Sequence, residues 1–245
     1  MQQGIRSAPT AIRPFRDRRI LEALITRLPA FDQLARPEVD ELAGYSQLRV
    51  YRRGATIAAR GEPLPGVVAL VEGSAKLTLR SNNGEERIAR LLEAGDSFGF
   101  AAVLLERDCP VDLVALSNCV VATIPSLPVR QLMGRNAGFA VALARTLAER
   151  VLLLVGELEA SAQHSSLQRL ACYLDSRAAQ ADGNGAWVVR LPATKSTIAA
   201  RLGVKKETMS RLLRELTSRG LVEVAGPQIA ILDRAGLAAL AGGRA

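Results

Sequence analysis

The chain has 245 residues, of which 49% are hydrophobic and 23% charged, a globular composition that excludes the disordered and fibrous classes. Its formal net charge is +8, which favours association with polyanions. No apolar run approaches the roughly 18 residues that span a bilayer, and five arginines interrupt the first 20 residues. We therefore expect neither a membrane-spanning nor a secreted chain.

The chain begins with a basic arm over residues 1–30, which ends in a predicted short helix at residues 19–28. A second short helix is predicted at residues 37–45, because Pro37 is tolerated in the first turn of a helix. These two helices lead into a region with a different pattern.

From Leu48 to Ile124 the sequence divides into short leucine-bearing and β-branched runs separated by glycines. Short strands at regular spacing are typical of a small all-β sandwich or barrel. Asn82, Asn83 and Gly84 form a hairpin-turn signal, because Asn and Gly tolerate positive φ. The predicted strands are residues 67–71, 75–79, 88–92 and 119–124.

Between residues 138 and 168 there is neither a proline nor a turn cluster, which predicts a long helix. Its apolar and small residues recur in alternating steps of three and four, as in the seam of a coiled coil. Packing of this helix onto the chain's own β domain is the alternative, and a helix that is also apolar at Leu152, Leu153 and Val155 can do both. The seam residues are Ala144, Leu147, Val151, Leu154, Leu158 and Ser161.

The last third of the chain predicts a winged helix. A helix is expected at residues 167–177, a loop at 182–185 and a strand at 187–191, followed by two helices. A hairpin at residues 221–232, turning at Gly226 and Pro227, closes the fold. From Ser161 to Ala245 there are twelve Lys and Arg against six Asp and Glu, so most of the net charge lies here, as in a nucleic-acid-binding module. The alternative is a basic surface that is exposed to solvent and binds no nucleic acid.

Residues 194–220 fit a helix-turn-helix position by position. Ile198, Ala199 and Leu202 give the first helix a buried side, and Gly203 allows the turn because glycine adopts positive φ at least cost. Val204 fills the corner. The second helix has one buried stripe at i, i+3, i+4 and i+7, formed by Met209, Leu212, Leu213 and Leu216.

The opposite stripe of the second helix is wholly polar. Arg pairs bidentately with guanine, and Glu accepts from the cytosine amino group, both in the major groove. Hydroxyls and lysines at helix starts favour phosphates. A winged helix that binds protein is the alternative. The predicted base contacts are Lys206, Glu207, Ser210 and Arg211, and the predicted phosphate contacts are Thr194, Lys195, Ser196, Lys205, Thr208 and Arg214.

The order of a glycine-punctuated β domain, a long helix and a winged helix carrying the run 206–211, Lys-Glu-Thr-Met-Ser-Arg, resembles the Crp/Fnr superfamily of bacterial transcription regulators. The runs at residues 71–73 (Val-Glu-Gly) and 92–99 (Leu-Glu-Ala-Gly-Asp-Ser-Phe-Gly) are similar to the β-roll signatures of that family. The resemblance covers residues 31–240.

The resemblance implies an α+β chain. Its parts are the arm with its short helix at 1–30, a β-roll sensor domain of the cyclic-nucleotide-binding jelly-roll type at 31–135, a dimerisation helix at 136–166 and a winged helix-turn-helix DNA-binding domain at 167–245. It also implies a homodimer joined through Leu147, Val151, Leu154 and Leu158, with double-stranded DNA and RNA polymerase as partners. We expect no enzyme activity, because the sequence has no Walker loop, GxSxG or HExxH motif.

The Glu-x-x-Ser-Arg pattern at residues 207–211 is similar to the Fnr and Dnr branches of the superfamily, whereas the Crp branch has glycine in place of Ser210. The resemblance implies a TTGAT-N4-ATCAA palindrome. Arg211 would contact guanine, Glu207 the opposing cytosine, and Ser210 would lie near a thymine.

The chain departs from the cofactor-binding members of the superfamily. Phe100 follows Gly99 where cyclic-AMP-binding members have Glu, and Pro110 and Val111 replace the Arg-Ser pair that holds the cyclic phosphate, an anion that needs donors. Cyclic AMP is therefore not expected, although a cyclic-nucleotide-responsive regulator remains the competing hypothesis.

No cysteine precedes Cys109, which excludes the iron–sulfur cluster of the Fnr proteins. The three cysteines are widely spaced with no CxxC pair, so we expect no disulfide framework, no metal site and a reducing cytoplasm. Similarity to the Dnr branch leaves a haem- or nitric-oxide-responsive sensor open, with Cys109 and His164 as candidate ligands. An apolar effector pocket at Phe100 and control without an effector are equally open.

Overall fold

The computed structural model describes residues 14–80, 86–180 and 186–242, with only the backbone described at residues 80 and 157–163. The predicted hairpin turn at 82–84 and the predicted loop at 182–185 lie outside the described residues. The chain divides into two compact units, and the main boundary falls between Val151 and Leu152, inside the longest helix.

Two helices open the N-terminal unit, α1 (Arg18–Ile25) and α2 (Arg36–Tyr45), with a 3₁₀ turn (Pro29–Phe31) between them. The Asp17 carboxylate caps α1 by accepting from the Ile20 backbone N–H at 3.2 Å, which satisfies one of the free donors of the first turn. Both predicted helices are confirmed, with ends that differ by at most three residues.

Within the described residues, eight strands follow in two antiparallel sheets, and the predicted β domain is confirmed. The sheet orders are β1-β8-β3-β6 and β2-β7-β4-β5. The four predicted strands correspond to β3, β4, β5 and β8, and four shorter strands were not predicted. The strands are β1 (Gln47–Tyr51), β2 (Thr56–Ala58), β3 (Gly66–Glu72), β4 (Ser74–Arg80), β5 (Glu86–Glu93), β6 (Ser97–Phe98), β7 (Asp112–Ala115) and β8 (Cys119–Pro125).

Strand β3 contributes to two cores, because successive side chains point to opposite faces of a sheet. Val68 and Leu70 join residues of both sheets in the interior of the β domain. Val67 and Ala69 face the other way, into a second core that the helices complete. Both faces of the first sheet are therefore buried.

Three more helices complete the N-terminal unit: α3 (Phe100–Leu105), α4 (Ser126–Arg135) and the start of α5 (Ala137–Gln163). Phe31 lies at their meeting point, with ring centroids 5.7 Å from Phe100 and 5.2 Å from Phe139. These contacts attach the first turns of α5 to the β domain.

The predicted long helix is interrupted. Helix α5 ends at Gln163 and α6 (Ser166–Ser176) begins after Ser165. The Ser165 hydroxyl accepts from the Gln168 backbone N–H at 3.2 Å, and the Gln168 side-chain oxygen accepts from the Ser165 backbone N–H at 2.8 Å. This reciprocal capping box starts a new helix at this point.

The C-terminal unit is a winged helix, as predicted. Its four strands form an antiparallel sheet in the order β11-β12-β10-β9. A last helix, which the sequence did not predict, packs through the fully buried Leu237. The elements after α6 are β9 (Ala179–Gln180), β10 (Trp187–Arg190), α7 (Lys195–Arg201), α8 (Lys206–Ser218), β11 (Val222–Ala225), β12 (Gln228–Ile231) and α9 (Arg234–Leu240).

None of the described helices is both long and apolar enough to cross a membrane.

Candidate DNA-binding interface

The turn between α7 and α8 has the geometry of a helix-turn-helix. Gly203 has φ +68°, in the region that glycine adopts without strain. The Val204 backbone N–H donates to the Ala199 carbonyl at 2.9 Å, which closes the end of α7. Ile198 and Ala199 are buried, and so is the predicted stripe of α8, Met209, Leu212, Leu213 and Leu216. The turn and this packing hold α8 with its opposite face outward.

That outward face carries the predicted base contacts. Lys206, Glu207, Ser210 and Arg211 are all exposed. The structure shows no hydrogen bond or ion pair for the side chains of Glu207 and Arg211 within the described residues. A carboxylate and a guanidinium one turn apart are therefore both available to an external partner.

Ser210 differs from its neighbours because its hydroxyl proton is already used. The Ser210 Oγ donates to the Lys206 carbonyl at 3.2 Å, a common arrangement for serine inside a helix. What remains on the outward side is a pair of acceptor lone pairs and a methylene group.

Beside this face lies a groove between α8, the start of α7 and strand β11, with a volume of about 440 Å³. Two cations, Lys195 and Arg214, line it together with three hydroxyls. Sequence reasoning assigned Lys195 and Arg214 to phosphate but missed Thr217 and Ser218, which extend the polar stripe one turn further. The residues that line the groove are Lys195, Ser210, Leu213, Arg214, Thr217, Ser218 and Val224.

The other predicted phosphate contacts lie at the starts of the two helices. The Thr194 Oγ1 accepts from the Thr197 backbone N–H at 3.2 Å and lies 2.9 Å from the Thr197 hydroxyl, so Thr194 is occupied in capping α7. Ser196 and Lys205 are exposed, and Thr208 is half-buried. Lys205 stands at the N-cap of α8 with no side-chain cap bond. The first backbone N–H groups of α8 therefore point outward beside a cation.

The predicted seam on α5 is only partly exposed. Val151 is 57% exposed and Leu154 43%, but Leu147 packs against the helical core of the N-terminal unit. The side chain of Leu158 lies outside the described part. Leu147 follows Phe139 and Leu143 along the buried side of α5, one turn apart each time, which is why its position turns inward.

A neighbouring row of α5 is exposed throughout. Its residues recur at steps of three and four, the spacing of a helix-pairing seam, and they share Ala144 and Val151 with the predicted set. This α5 stripe consists of Val141, Ala144, Ala148, Val151 and Val155.

The candidate effector residues do not form a site. Phe100 is 6% exposed and packs against Phe31 in the helical core, so its ring contacts the chain's own side chains, a geometry that does not favour the open alternative of an apolar effector pocket there. Cys109 is 2% exposed, and its thiol donates to the Val111 carbonyl at 3.1 Å. Burial raises the pKa of the Cys109 thiol, which disfavours a thiolate there.

His164 belongs to the C-terminal unit, between α5 and α6. Its Nδ1 lies 3.8 Å from the Cys172 sulfur, and a Cβ built on Gly242 would stand 3.5 Å from its Nε2. All three cysteines are free thiols. The described residues contain no group of three or more His, Cys, Asp or Glu side chains that could hold a metal ion.

Comparison with known proteins agrees with this geometry. Residues 48–136 match the cyclic nucleotide-binding domain, and residues 168–240 match the Crp-like helix-turn-helix domain. The Anaerobic regulatory protein of Haemophilus influenzae is 30% identical over 190 residues, which cover 74% of this chain and 71% of that protein. The chain belongs to the Crp/Fnr family of transcription regulators.

Two further comparisons show how far the likeness extends. The Fumarate and nitrate reduction regulatory protein of Salmonella typhimurium is 29% identical over 216 residues, covering 84% of this chain and 83% of that protein. The structure of FixK2 from Bradyrhizobium japonicum superposes with a TM-score of 0.72, covering 82% of this chain and 99% of that one at 22% identity. The likeness to FixK2 concerns the fold, and the match to the Crp-like helix-turn-helix domain makes the chain a DNA-binding regulator of the Crp/Fnr type.

Proposed function

We propose that this regulator binds, as a homodimer, a TTGAT-N4-ATCAA-like palindrome in double-stranded DNA and acts there with RNA polymerase as its partner. The observation that carries the proposal is the outward face of α8, where Glu207 and Arg211 are exposed and have no polar partner within the described residues. Charged groups held on a rigid helix and left unpaired are suited to an external ligand.

The chemistry of that face matches a TTGAT half-site. Arg211 can donate two hydrogen bonds to guanine O6 and N7, and Glu207 can accept from the amino group of a cytosine. Ser210 offers its methylene to a thymine methyl group, since its hydroxyl proton is bound to the Lys206 carbonyl. Lys195 and Arg214 in the neighbouring groove would bind the phosphates that fix the register.

The α5 stripe supports the proposed homodimer. Large exposed apolar side chains on one helix face mark an interaction surface, and Val141 and Val151 are 63% and 57% exposed. Two copies paired along this stripe would present two α8 helices to one palindrome. Their spacing would then be about one helical turn of DNA, ~34 Å.

Band-shift titrations at one fixed salt concentration test the proposal. We expect the TTGAT-N4-ATCAA duplex to bind at least ~10³-fold more tightly than unrelated DNA. A duplex with both guanines replaced by adenine serves as the matched control, and each changed base pair should reduce affinity by ~1–3 kcal/mol. Equal binding to the three duplexes would contradict the palindrome.

We also propose that the regulator does not respond to cyclic AMP. Pro110 has no N–H donor, and Val111 is apolar and packs against the interior of the β domain. The phosphate of a cyclic nucleotide would find neither of the donors it needs at these positions. Calorimetric titration tests this point: a sub-micromolar isotherm with cyclic AMP would favour the competing cyclic-nucleotide-responsive regulator.

A haem group does not fit the residues that suggested it. The Cys109 thiol is buried and bonded to Val111, and the two ring nitrogens of His164 face Cys172 and Gly242. We therefore propose no haem ligation by Cys109 or His164. An absorption spectrum of protein purified from its own host would reveal haem held elsewhere.

A further inference from the structure

The joint between α5 and α6 consists of His164 and Ser165. Because the last carbonyls of a helix have no partner within it, α5 presents an acceptor at His164. Helix α7 presents a second at its C-cap, Leu202, directly before Gly203 and the turn into α8. Both are negative helix ends that favour a cation.

One side chain serves both ends. Arg169 donates from Nη1 to the His164 carbonyl at 2.8 Å and from Nε to the Leu202 carbonyl at 3.3 Å. Its Nη2 donates to the Ser166 hydroxyl at 3.2 Å. The half-buried guanidinium thus connects the end of α5, the first turn of α6 and the end of α7.

These contacts suit arginine alone. The guanidinium is planar and presents its donors in a fixed fork, whereas lysine offers a compact charge on a flexible stem. Three acceptors bound in different directions therefore fix the joint and the helix-turn-helix relative to each other. Lysine in the same place can satisfy one or two of them.

We infer that Arg169 is a positioning residue that sets the direction of α8 relative to the end of α5. The inference rests on the proposed binding of a palindrome by a homodimer. If two copies pair through α5, the angle at this joint determines the distance between the two recognition helices. Arg169 would then determine which spacer length between half-sites the regulator accepts, without touching DNA itself.

The first test measures local opening at the turn after α7 in the absence of DNA. Amide hydrogen exchange is compared for the full-length protein, Arg169→Gln, Arg169→Lys and the control Arg177→Gln, which removes the same charge from the C-terminal end of α6. The Gly203 and Val204 amides bond to Ala200 and Ala199 at 3.3 and 2.9 Å. They should exchange at least about tenfold faster in Arg169→Gln than in the control, as expected for local opening.

The second test reads spacing. Band shifts use half-sites separated by about two to six base pairs, and a single half-site as reference. The wild type and Arg177→Gln should show one preferred spacer. Arg169→Gln should lose about tenfold in affinity there, consistent with losing hydrogen bonds to a charged group. Its affinity for other spacers and for the single half-site should stay within about twofold of the wild type. Arg169→Lys should fall between the two.

The outcomes distinguish a failure of the positioning role of Arg169 from a failure of the proposed homodimer. An Arg169→Gln protein with wild-type exchange at the turn, or with a uniform loss on every duplex, overturns the positioning role. A wild-type protein that binds DNA with no spacer preference contradicts the homodimer itself. In that case the spacing role falls with it, and hydrogen exchange decides whether Arg169 holds the joint.

Discussion

Charged side chains are used differently in the two units. Among the N-terminal helices, Glu22 accepts from Arg18 and from Arg36, both at 2.7 Å. On α8, Glu207 and Arg211 are four residues apart, yet neither side chain is paired within the part of the chain that the structure describes. Glu215 and the C-cap residue Arg219 bond at 2.6 Å at the same spacing. The contrast within one helix supports the proposal that the outward charges bind a ligand.

Apolar residues also differ between regions: some candidate functional residues are buried, whereas others on α5 are exposed. In the N-terminal unit, Phe100 and Cys109 looked like effector residues but are parts of packed cores. In α5, Val151 and Leu152 are 57% and 71% exposed, which is unusual for large apolar side chains with no partner. The exposed apolar side chains are therefore better candidates for a functional surface than the buried ones.

The largest effect should come from disrupting the α5 stripe. A carboxylate at position 151, introduced as Val151→Asp, would have to be desolvated at the contact between helices. We expect a monomer by sedimentation, and a loss of about 10²-fold or more on the palindrome as two linked half-site contacts become independent.

Leu232→Asp is the matched control, because Leu232 is 60% exposed and lies outside α5. It should remain dimeric and bind normally. Leu147→Asp should instead destabilise the N-terminal unit, since Leu147 packs against its core. A Val151→Asp protein that still sediments as a dimer would remove the stripe from the interface.

The next effect sharpens the roles on α8. Arg211→Ala should lose ~1–3 kcal/mol on the palindrome and relax the preference for guanine. Lys206, although grouped with the predicted base contacts, stands at the start of α8 where phosphates are also attracted, so Lys206→Ala should weaken binding to all sequences about equally. Titrations on the palindrome and its guanine-to-adenine variant measure both. Similar losses for the two variants on both duplexes would show that neither residue reads a base.

The sequence was informative where local pattern decides the structure. The buried stripe of α8 and the turn at Gly203 follow from residue spacing alone. Strands β2 and β6 were missed because three and two residues carry too little periodicity to detect. The break at Ser165 had a visible signal, since Ser165 and Gln168 form a capping box, but neither a proline nor a turn cluster marks it in the sequence.

Contacts between distant segments could not be predicted. The groove beside α8 needs Val224 from the wing, and the contact of Arg169 with Leu202 joins residues 33 positions apart. Neither follows from helix or strand periodicity. The sequence could not show which row of α5 faces outward, because this depends on which row packs against the N-terminal core. Leu147 lies in the row that packs inward.

A smaller effect tests the groove. Each cation that neutralises a phosphate adds about one counterion to the salt dependence of binding. Lys195→Gln and Arg214→Gln should therefore each lower the slope of log K against log salt by ~1. Arg219→Gln is the control, because Arg219 is paired with Glu215. An unchanged slope in both variants would exclude phosphate from the groove.

The smallest effect tests whether Cys109 is only a core residue. Burial raises the pKa of its thiol most, and nearby Asp112 raises this pKa further, whereas the hydrogen bond to the Val111 carbonyl lowers it. An unfolded thiol titrates near ~8.5, so above that pH the unfolded chain releases a proton that the folded chain retains. The stability from the buried thiol is thus fully present below ~8.5 and falls as pH rises further. Cys109→Ala should remove this part of the decline, which is at most ~1.4 kcal/mol at pH ~9.5, in urea unfolding of the N-terminal unit. Burial also raises the pKa of Cys172, but Cys172 lies in the other unit. If Cys109→Ala shows the same decline as the wild type, the titrating group lies elsewhere in the N-terminal unit.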